Sequence, residues 1–137
     1  MTSNGQITSC VSDDGLEYLL YLPSNYYKDE HPINQHSKHP ILLFLHGMGA
    51  VKKMQQLKQT SLPNILINEP GSLPSPFPFI VIMPLAKQRE WSPQFPQILS
   101  LLTTLLPSVN GDSSRIYATG NSMGGKGVWE VSWVRLE

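Results

Sequence analysis

The sequence has little that would suit an extracellular, membrane-bound or nucleic-acid-binding protein. Among its 137 residues is a single cysteine, Cys10, which excludes an internal disulfide bond and fits a reducing compartment. Ten basic and ten acidic residues give a formal net charge of zero, so no overall attraction to nucleic acid or anionic membrane is expected. The longest apolar runs, ILLFL (41–45) and FIVIM (79–83), are too short to span a bilayer.

The N-terminus has no basic region followed by an apolar stretch, so no signal peptide is predicted. We therefore expect a soluble, cytoplasmic protein without a membrane span or a nucleic-acid partner. No cofactor and no metal site are predicted.

Short apolar runs alternate with helical patterns along most of the chain. Buried strands that alternate with helices are typical of α/β proteins with a mostly parallel sheet and flanking helices. Residues 1–14 are polar and are expected to be irregular, as are the loops at 24–39 and 70–78. The predicted strands are LEYLLYL (16–22), ILLFL, FIVIM and RIYAT (115–119). Helices are predicted around KKMQQLKQ (52–59), over 95–109 and from about Ser122 onward, and the first is followed by an irregular piece broken by Pro63 and Pro70.

The segment Gly120-Asn121-Ser122-Met123-Gly124 matches the pattern G-x-S-x-G between a predicted strand and a predicted helix. Such a strand-to-helix turn holds a serine in a strained conformation above the sheet, where its hydroxyl can act as a nucleophile. Gly120 and Gly124 would let the strand and the helix approach each other without a Cβ clash. The pattern also occurs by chance, but its position between strand and helix favours a nucleophile at Ser122.

A second glycine-rich segment, His46-Gly47-Met48-Gly49, follows the ILLFL strand. Acyl transfer requires preorganised donors for the oxyanion of the tetrahedral intermediate, commonly backbone N–H groups. One would belong to Met123, directly after the serine, and the second to Met48 in this loop. The alternative is a strand-ending turn without a catalytic role. In the catalytic interpretation, His46, Gly47 and Gly49 support the loop, and His46 is not the general base.

These segments resemble the N-terminal half of an α/β-hydrolase, in its esterase-like branch of predicted peptidases, dienelactone hydrolases and polyhydroxybutyrate depolymerases. The resemblance covers most of 16–130 and implies a serine esterase that forms an acyl-enzyme with a small-molecule ester or related acyl substrate. It implies a three-layer fold, truncated here, whose C-terminal strands are missing. Trp91 falls where relatives carry a tryptophan near the active-site cleft; its alternative is a loop aromatic packed on the core.

The acid and the histidine of a catalytic triad are missing from the expected places. In this fold they follow the serine along the chain, yet no histidine lies beyond Ser122. Glu130 lies about 12 Å along the same predicted helix and cannot orient a histidine above the sheet. His31, His36 and His39 precede the second strand, at the end of the sheet opposite Ser122, and are expected to be solvated loop residues.

The sequence therefore predicts one domain over 15–137, the N-terminal part of an α/β-hydrolase that ends after the nucleophile-elbow helix. Whether this chain is itself an enzyme stays open: the family is hydrolytic, but the chain by itself is expected to be inactive. The alternatives are a non-catalytic truncated isoform, self-associating through an exposed sheet edge, and a ligand- or protein-binding relative of the hydrolases. GNSMGGKG does not match a P-loop, since it lacks the Lys-Ser/Thr pair and the loop length.

Overall fold

The computed structural model describes residues 4–26 and 38–133, which form one five-stranded sheet with helices on both faces. The strand order is β1-β2-β4-β3-β5. The four strands predicted from apolar runs are confirmed, with boundaries that shift by up to four residues. The strands are β1 (Gln6–Val11), β2 (Glu17–Leu22), β3 (His39–Leu45), β4 (Ile80–Pro84) and β5 (Gly111–Gly120).

The sheet is mixed, so the prediction of a mostly parallel sheet is wrong. The strand β3 pairs in parallel with β4 and β5, whereas β2 pairs antiparallel with β1 and β4. A tight turn joins β1 to β2, where Ser12 N–H donates to the carbonyl of Leu16 at 2.8 Å. A turn this short can connect only antiparallel strands, whereas parallel strands need a longer crossover. The alternation of strand and helix begins only after β3.

Within the described residues four helices flank the sheet, and each is too short or too polar to span a membrane. Two short helices pack on one face of the sheet, and two others cover the opposite face. The predicted helix over 95–109 is confirmed, as is the helix expected near Ser122. The helices are α1 (Met54–Gln59), α2 (Ser61–Asn68), α3 (Phe95–Ser108) and α4 (Met123–Val131).

Alternating side chains of the central strands supply two separate cores. In β3, Ile41, Leu43 and Leu45 face the core beneath α3 and α4, while Phe44 faces the core beneath α1 and α2. A strand covered on both faces reads as a continuous apolar run, which explains ILLFL and FIVIM. Burial on both faces fixes the register of β3 and β4, because a shift by one residue would exchange the two sets of side chains.

Two local predictions differ from the structure. Residues 1–14 were expected to be irregular, but β1 lies within them and completes an edge of the sheet. Its side chains are exposed or half-buried, so backbone pairing with β2 holds it and the apolar pattern gives little signal. Pro63 was expected to break the chain, but it lies in the first turn of α2, where a backbone N–H has no intrahelical acceptor to lose.

The strand β5 lies at the other edge of the sheet and is irregular in its first half. The pairing with β3 jumps from Gly111 to Ile116, so the residues between them bulge out of the ladder. Asp112 stabilises this bulge. Its carboxylate accepts a hydrogen bond from the Ser114 N–H and forms an ion pair of 2.8 Å with Arg115. These contacts lower the pKa of Asp112 to about 2, the hydrogen bonds from Ser114 contributing most.

The central position of β4 predicts a large difference between two isoleucine truncations. Ile82 is fully buried in β4, whereas Ile67 in α2 is 44% exposed. Replacing Ile82 with alanine should lower the free energy of unfolding by about 2–5 kcal/mol, because it removes buried surface and leaves a cavity. Ile67→Ala should cost less than about 1 kcal/mol. Urea unfolding followed by circular dichroism measures both; equal losses would contradict the assigned core.

Candidate active site

Ser122 occupies a sharp turn between the end of β5 and the start of α4. Its backbone has φ 54° and ψ −121°, a conformation that non-glycine residues rarely adopt. Gly124 N–H donates to the Asn121 carbonyl at 2.9 Å and Lys126 N–H to the Ser122 carbonyl at 3.1 Å, so the helix begins directly behind the serine. Ser122 is exposed. Strain of this kind persists only where the surrounding structure enforces it, and it concentrates at functional sites.

The glycines on either side of Ser122 allow the close approach that enforces this turn. A Cβ at Gly124 would collide with the Leu45 carbonyl, and its next contact would be the His46 carbonyl oxygen at 3.0 Å. A Cβ at Gly120 would lie 2.6 Å from the Leu45 oxygen and 2.7 Å from the Gly124 backbone. Both positions therefore require glycine for space, although neither has a positive φ.

The loop after β3 lies against the same turn. A Cβ at Gly47 would be 3.6 Å from the Asn121 oxygen and 3.7 Å from the Ser122 Cβ. The next residues, Met48–Ala50, form one turn of 3-10 helix, in which Met48 is 55% exposed. A Cβ at Gly49 would meet no neighbour, so its environment does not require glycine.

Two helical turns begin close to Ser122, and the backbone N–H group of the first residue in each turn points to the same question of what it can bind. Met48 is the first residue of the 3-10 turn, and Met123 is the first residue of α4. The first N–H groups of a helix have no acceptor within that helix. Such groups are free to donate to a ligand atom, and the positive end of the α4 dipole favours negative charge there.

His46 holds the loop after β3 with both of its ring nitrogens. Its Nε2 accepts the Ala86 N–H at 2.9 Å, which leaves the proton on Nδ1, and Nδ1 donates to the Gly47 carbonyl at 2.7 Å. The ring is fully buried. Burial lowers the pKa of His46 below its ordinary value, and the bond to Gly47 opposes this only partly. His46 is thus a neutral residue that ties the loop after β3 to the loop after β4.

Trp91 lies in the core beneath this loop. Its side chain is 1% exposed, and its Nε1–H donates to the His46 carbonyl at 3.0 Å. The two rings meet edge to face, with centroids 4.9 Å apart. A Cβ at Gly127 in α4 would lie 2.8 Å from the Trp91 ring. The structure thus places Trp91 in the core, as the alternative of an aromatic residue packed on the core describes, and a position near an active-site cleft stays a prediction.

Gln94 belongs to the same supporting network and was missed in the sequence. It is buried, and its Oε1 accepts the Lys87 N–H at 2.7 Å while its Nε2 donates to the Leu85 carbonyl at 3.3 Å. The side chain thereby satisfies two backbone groups in the loop after β4. The only signal in the sequence is an uncharged polar residue between Pro93 and Phe95, which by itself is too weak to indicate a structural role.

Among the described residues, the only histidine besides His46 is His39, and it lies far from Ser122. His39 begins β3 and pairs with Gly111, whereas Leu45 pairs with Gly120 at the other end of the strand, about 20 Å away. Its ring is buried and stacks on Tyr26 with centroids 5.1 Å apart, so the expectation that it is a solvated loop residue is wrong. His31, His36 and Glu137 lie outside the described residues. Glu130 lies in the last turns of α4.

Comparison with known proteins identifies a similar fold. A thermostable esterase of known crystal structure is 23% identical to the chain and superimposes with a TM-score of 0.54, over 90% of this chain and 36% of the esterase. DcsB, solved in complex with a substrate analogue, is 17% identical with a TM-score of 0.46, over 95% of this chain and 41% of DcsB. No family model and no curated protein sequence matches the chain.

The chain thus has a mixed α/β fold similar to part of an esterase. It spans little more than a third of the length of that enzyme. At this level of identity the similarity concerns the fold, and the chemistry of the site has to be argued from the residues of this chain.

The contact between α4 and Leu45 predicts opposite effects for two adjacent glycines. Gly124→Ala should lower the free energy of unfolding by about 3 kcal/mol or more, because the methyl group meets rigid backbone. Gly125→Ala should raise it by up to about 1 kcal/mol, since the nearest atom is 3.7 Å away and alanine favours helix. Thermal and urea unfolding of both variants test this. A Gly124→Ala variant as stable as the parent would contradict the close approach.

The hydrogen bonds of His46 predict an imidazole that resists protonation. Long-range ¹H–¹⁵N NMR should show the Nδ1–H tautomer and a pKa below the ordinary value of about 6.5. Because the unfolded chain takes up a proton that the folded chain does not, this contribution to stability is complete above about pH 6.5 and is lost as the pH falls toward the lowered pKa. A His46→Asn variant assigns the signal. Titration at or above 6.5, or an Nε2–H tautomer, would refute the proposed role.

Proposed function

We propose that the chain is the N-terminal part of a serine hydrolase of the carboxylesterase type, with Ser122 as its nucleophile. The observation that carries the proposal is the backbone of Ser122, held at φ 54° between β5 and α4 with the Gly47 loop packed against it. This arrangement exposes a serine at the carboxyl ends of parallel strands, where ligands bind in open α/β sheets. The similarity in fold to an esterase supports the same interpretation.

In this proposal the substrate is a small-molecule ester or a related acyl compound. Ser122 Oγ attacks the acyl carbon, and the negative charge moves to the carbonyl oxygen, which accepts the N–H groups of Met48 and Met123. The tetrahedral intermediate then collapses, the alcohol leaves, and water releases the acyl group from Ser122. Gly120, Gly124, His46 and Gly47 position these groups without touching the reacting atoms.

The reaction also needs a base that takes the proton from Ser122 Oγ. The only histidines described by the structure are His39, at the far end of β3, and His46, whose two ring nitrogens hold backbone groups. The 137 residues by themselves are thus proposed to be catalytically inactive, and the acid and the histidine of the active enzyme would come from further residues. The chain would contribute the nucleophile and the oxyanion donors.

A non-catalytic interaction protein is the second candidate. It is favoured by the exposed apolar residues, foremost Trp129 and Trp133, which are 68% and 75% exposed. Exposed tryptophans on one helix are typical of a surface that binds another molecule.

A fluorophosphonate probe tests the state of Ser122 directly. At neutral pH we expect labelling of the chain no stronger than that of a Ser122→Ala variant, because an unassisted serine hydroxyl is a weak nucleophile. Added imidazole should then raise labelling of Ser122 specifically, since it supplies the missing base. Ser132→Ala, which removes an exposed serine hydroxyl from the turn after α4, is the matched control and should label like the parent chain.

Two results would contradict the proposal. Strong labelling of Ser122 without imidazole would mean that the chain already contains a base. Labelling in imidazole that is unchanged by Ser122→Ala would mean that Ser122 is no more reactive than any other serine.

A further inference from the structure

Four residues of α4 and the following turn share one face, on which three are exposed and Glu130 is half-buried. Lys126, Trp129, Glu130 and Trp133 are spaced by three and four residues, which places them on one side of a helix. The helical backbone continues to the last of them, because Ser132 N–H donates to Val128 at 3.1 Å and Trp133 N–H donates to Glu130 at 3.3 Å. The two indole rings contact edge to face, with centroids 6.0 Å apart.

This face points away from the sheet. The buried residues of α4 are Gly124 and Gly127, which contact Leu45 and Trp91 on the opposite side of the helix. Trp129 and Trp133 are more exposed than any other large hydrophobic residue in the described chain. Two neighbouring tryptophans on a helix surface have the composition and geometry of an interface anchor.

The two charges on the face determine which partner fits it. Lys126 and Glu130 lie one helical turn apart, and within the described residues neither forms an ion pair. A lysine that precedes a glutamate by four residues is in the less favourable order for a pair within one helix. A face with one positive and one negative charge is complementary to a second copy of itself in antiparallel orientation.

We propose that this face of α4 binds the same face of a second copy of the chain in a two-fold symmetric, antiparallel contact. When the two helices cross at the level of Val128, Lys126 of each copy lies opposite the partner's Glu130. The symmetric contact therefore contains two Lys–Glu pairs. A parallel arrangement in the same register would oppose like charges. Isologous contacts of this kind form closed dimers, not fibres.

The tryptophans supply the apolar part of the contact, since both are largely exposed. Four indoles that bury roughly 150 Å² each cover about 600 Å², below the size of a standard stable interface. The dimer is therefore weak and dissociates on dilution. The zero net charge of the chain means that no overall repulsion opposes it.

The edge of β5 is a poorer surface for the second copy. The residues between Gly111 and Ile116 leave the ladder, and the Asp112–Arg115 ion pair lies in this bulge. Bulges and charges of this type are how natural sheets prevent edge-to-edge pairing. The proposed contact does not involve Ser122, and it stands or falls independently of the proposed hydrolase chemistry.

Sedimentation equilibrium of the 137-residue chain over a range of concentrations tests the contact. We expect a reversible monomer–dimer equilibrium. Lys126→Glu and Glu130→Lys should each weaken it about tenfold, because each variant opposes like charges twice. The double variant Lys126→Glu/Glu130→Lys should return to within about threefold of the parent, since it restores both pairs. Trp129→Gln should weaken the dimer about thirtyfold, while Lys87→Glu, on the loop after β4, should leave it unchanged.

Circular dichroism verifies that each variant is folded, including those at the half-buried Glu130. A chain that is monomeric at every concentration overturns the proposal. So does a dimer that the double variant fails to restore, since its charges would then not be paired across the interface. Loss of the dimer in Tyr117→Pro, with the α4 variants unaffected, would assign the contact to the β5 edge and would equally overturn it.

Discussion

The close contact between the backbone of α4 and the end of β3 is the constraint on which the candidate site depends. Gly124 approaches the Leu45 carbonyl so closely that no other residue fits, and the helix begins directly after Ser122, whose φ is 54°. One turn further along the same helix, Gly127 lies against the ring of Trp91. Two close contacts of α4 thus hold the serine turn against β3 and the helix on the aromatic core.

A second layer of contacts holds the loops that surround the serine. His46 joins the loop after β3 to that after β4, and Gln94 satisfies the next backbone groups along the β4 loop. Both side chains are buried and uncharged, so they hold their positions without the desolvation cost of a buried charge. The loops beside Ser122 are consequently held by buried side chains that carry no charge.

The sequence predicts those parts of the molecule that local patterns control. Continuous apolar runs identified β3 and β4 because both faces of those strands are covered, and G-x-S-x-G identified the turn at Ser122 because the turn itself requires glycine. Patterns fail where tertiary pairing decides: β1 is held by β2 with little burial of its own, and the antiparallel half of the sheet follows from a short turn. The burial of Trp91 and His39 likewise depends on residues distant in sequence.

The two hydrogen bonds of His46 have a consequence for the response of the proposed hydrolase to acid. Such an enzyme would carry two histidines with separate effects on its response to acid: the catalytic base, and a structural ring whose protonation deprives the Ala86 N–H of its acceptor. Below the lowered pKa of His46, the loop that presents Met48 would lose its tie to the β4 loop even with an intact base. Acid would then disturb the proposed oxyanion donor Met48 as well as the proton acceptor.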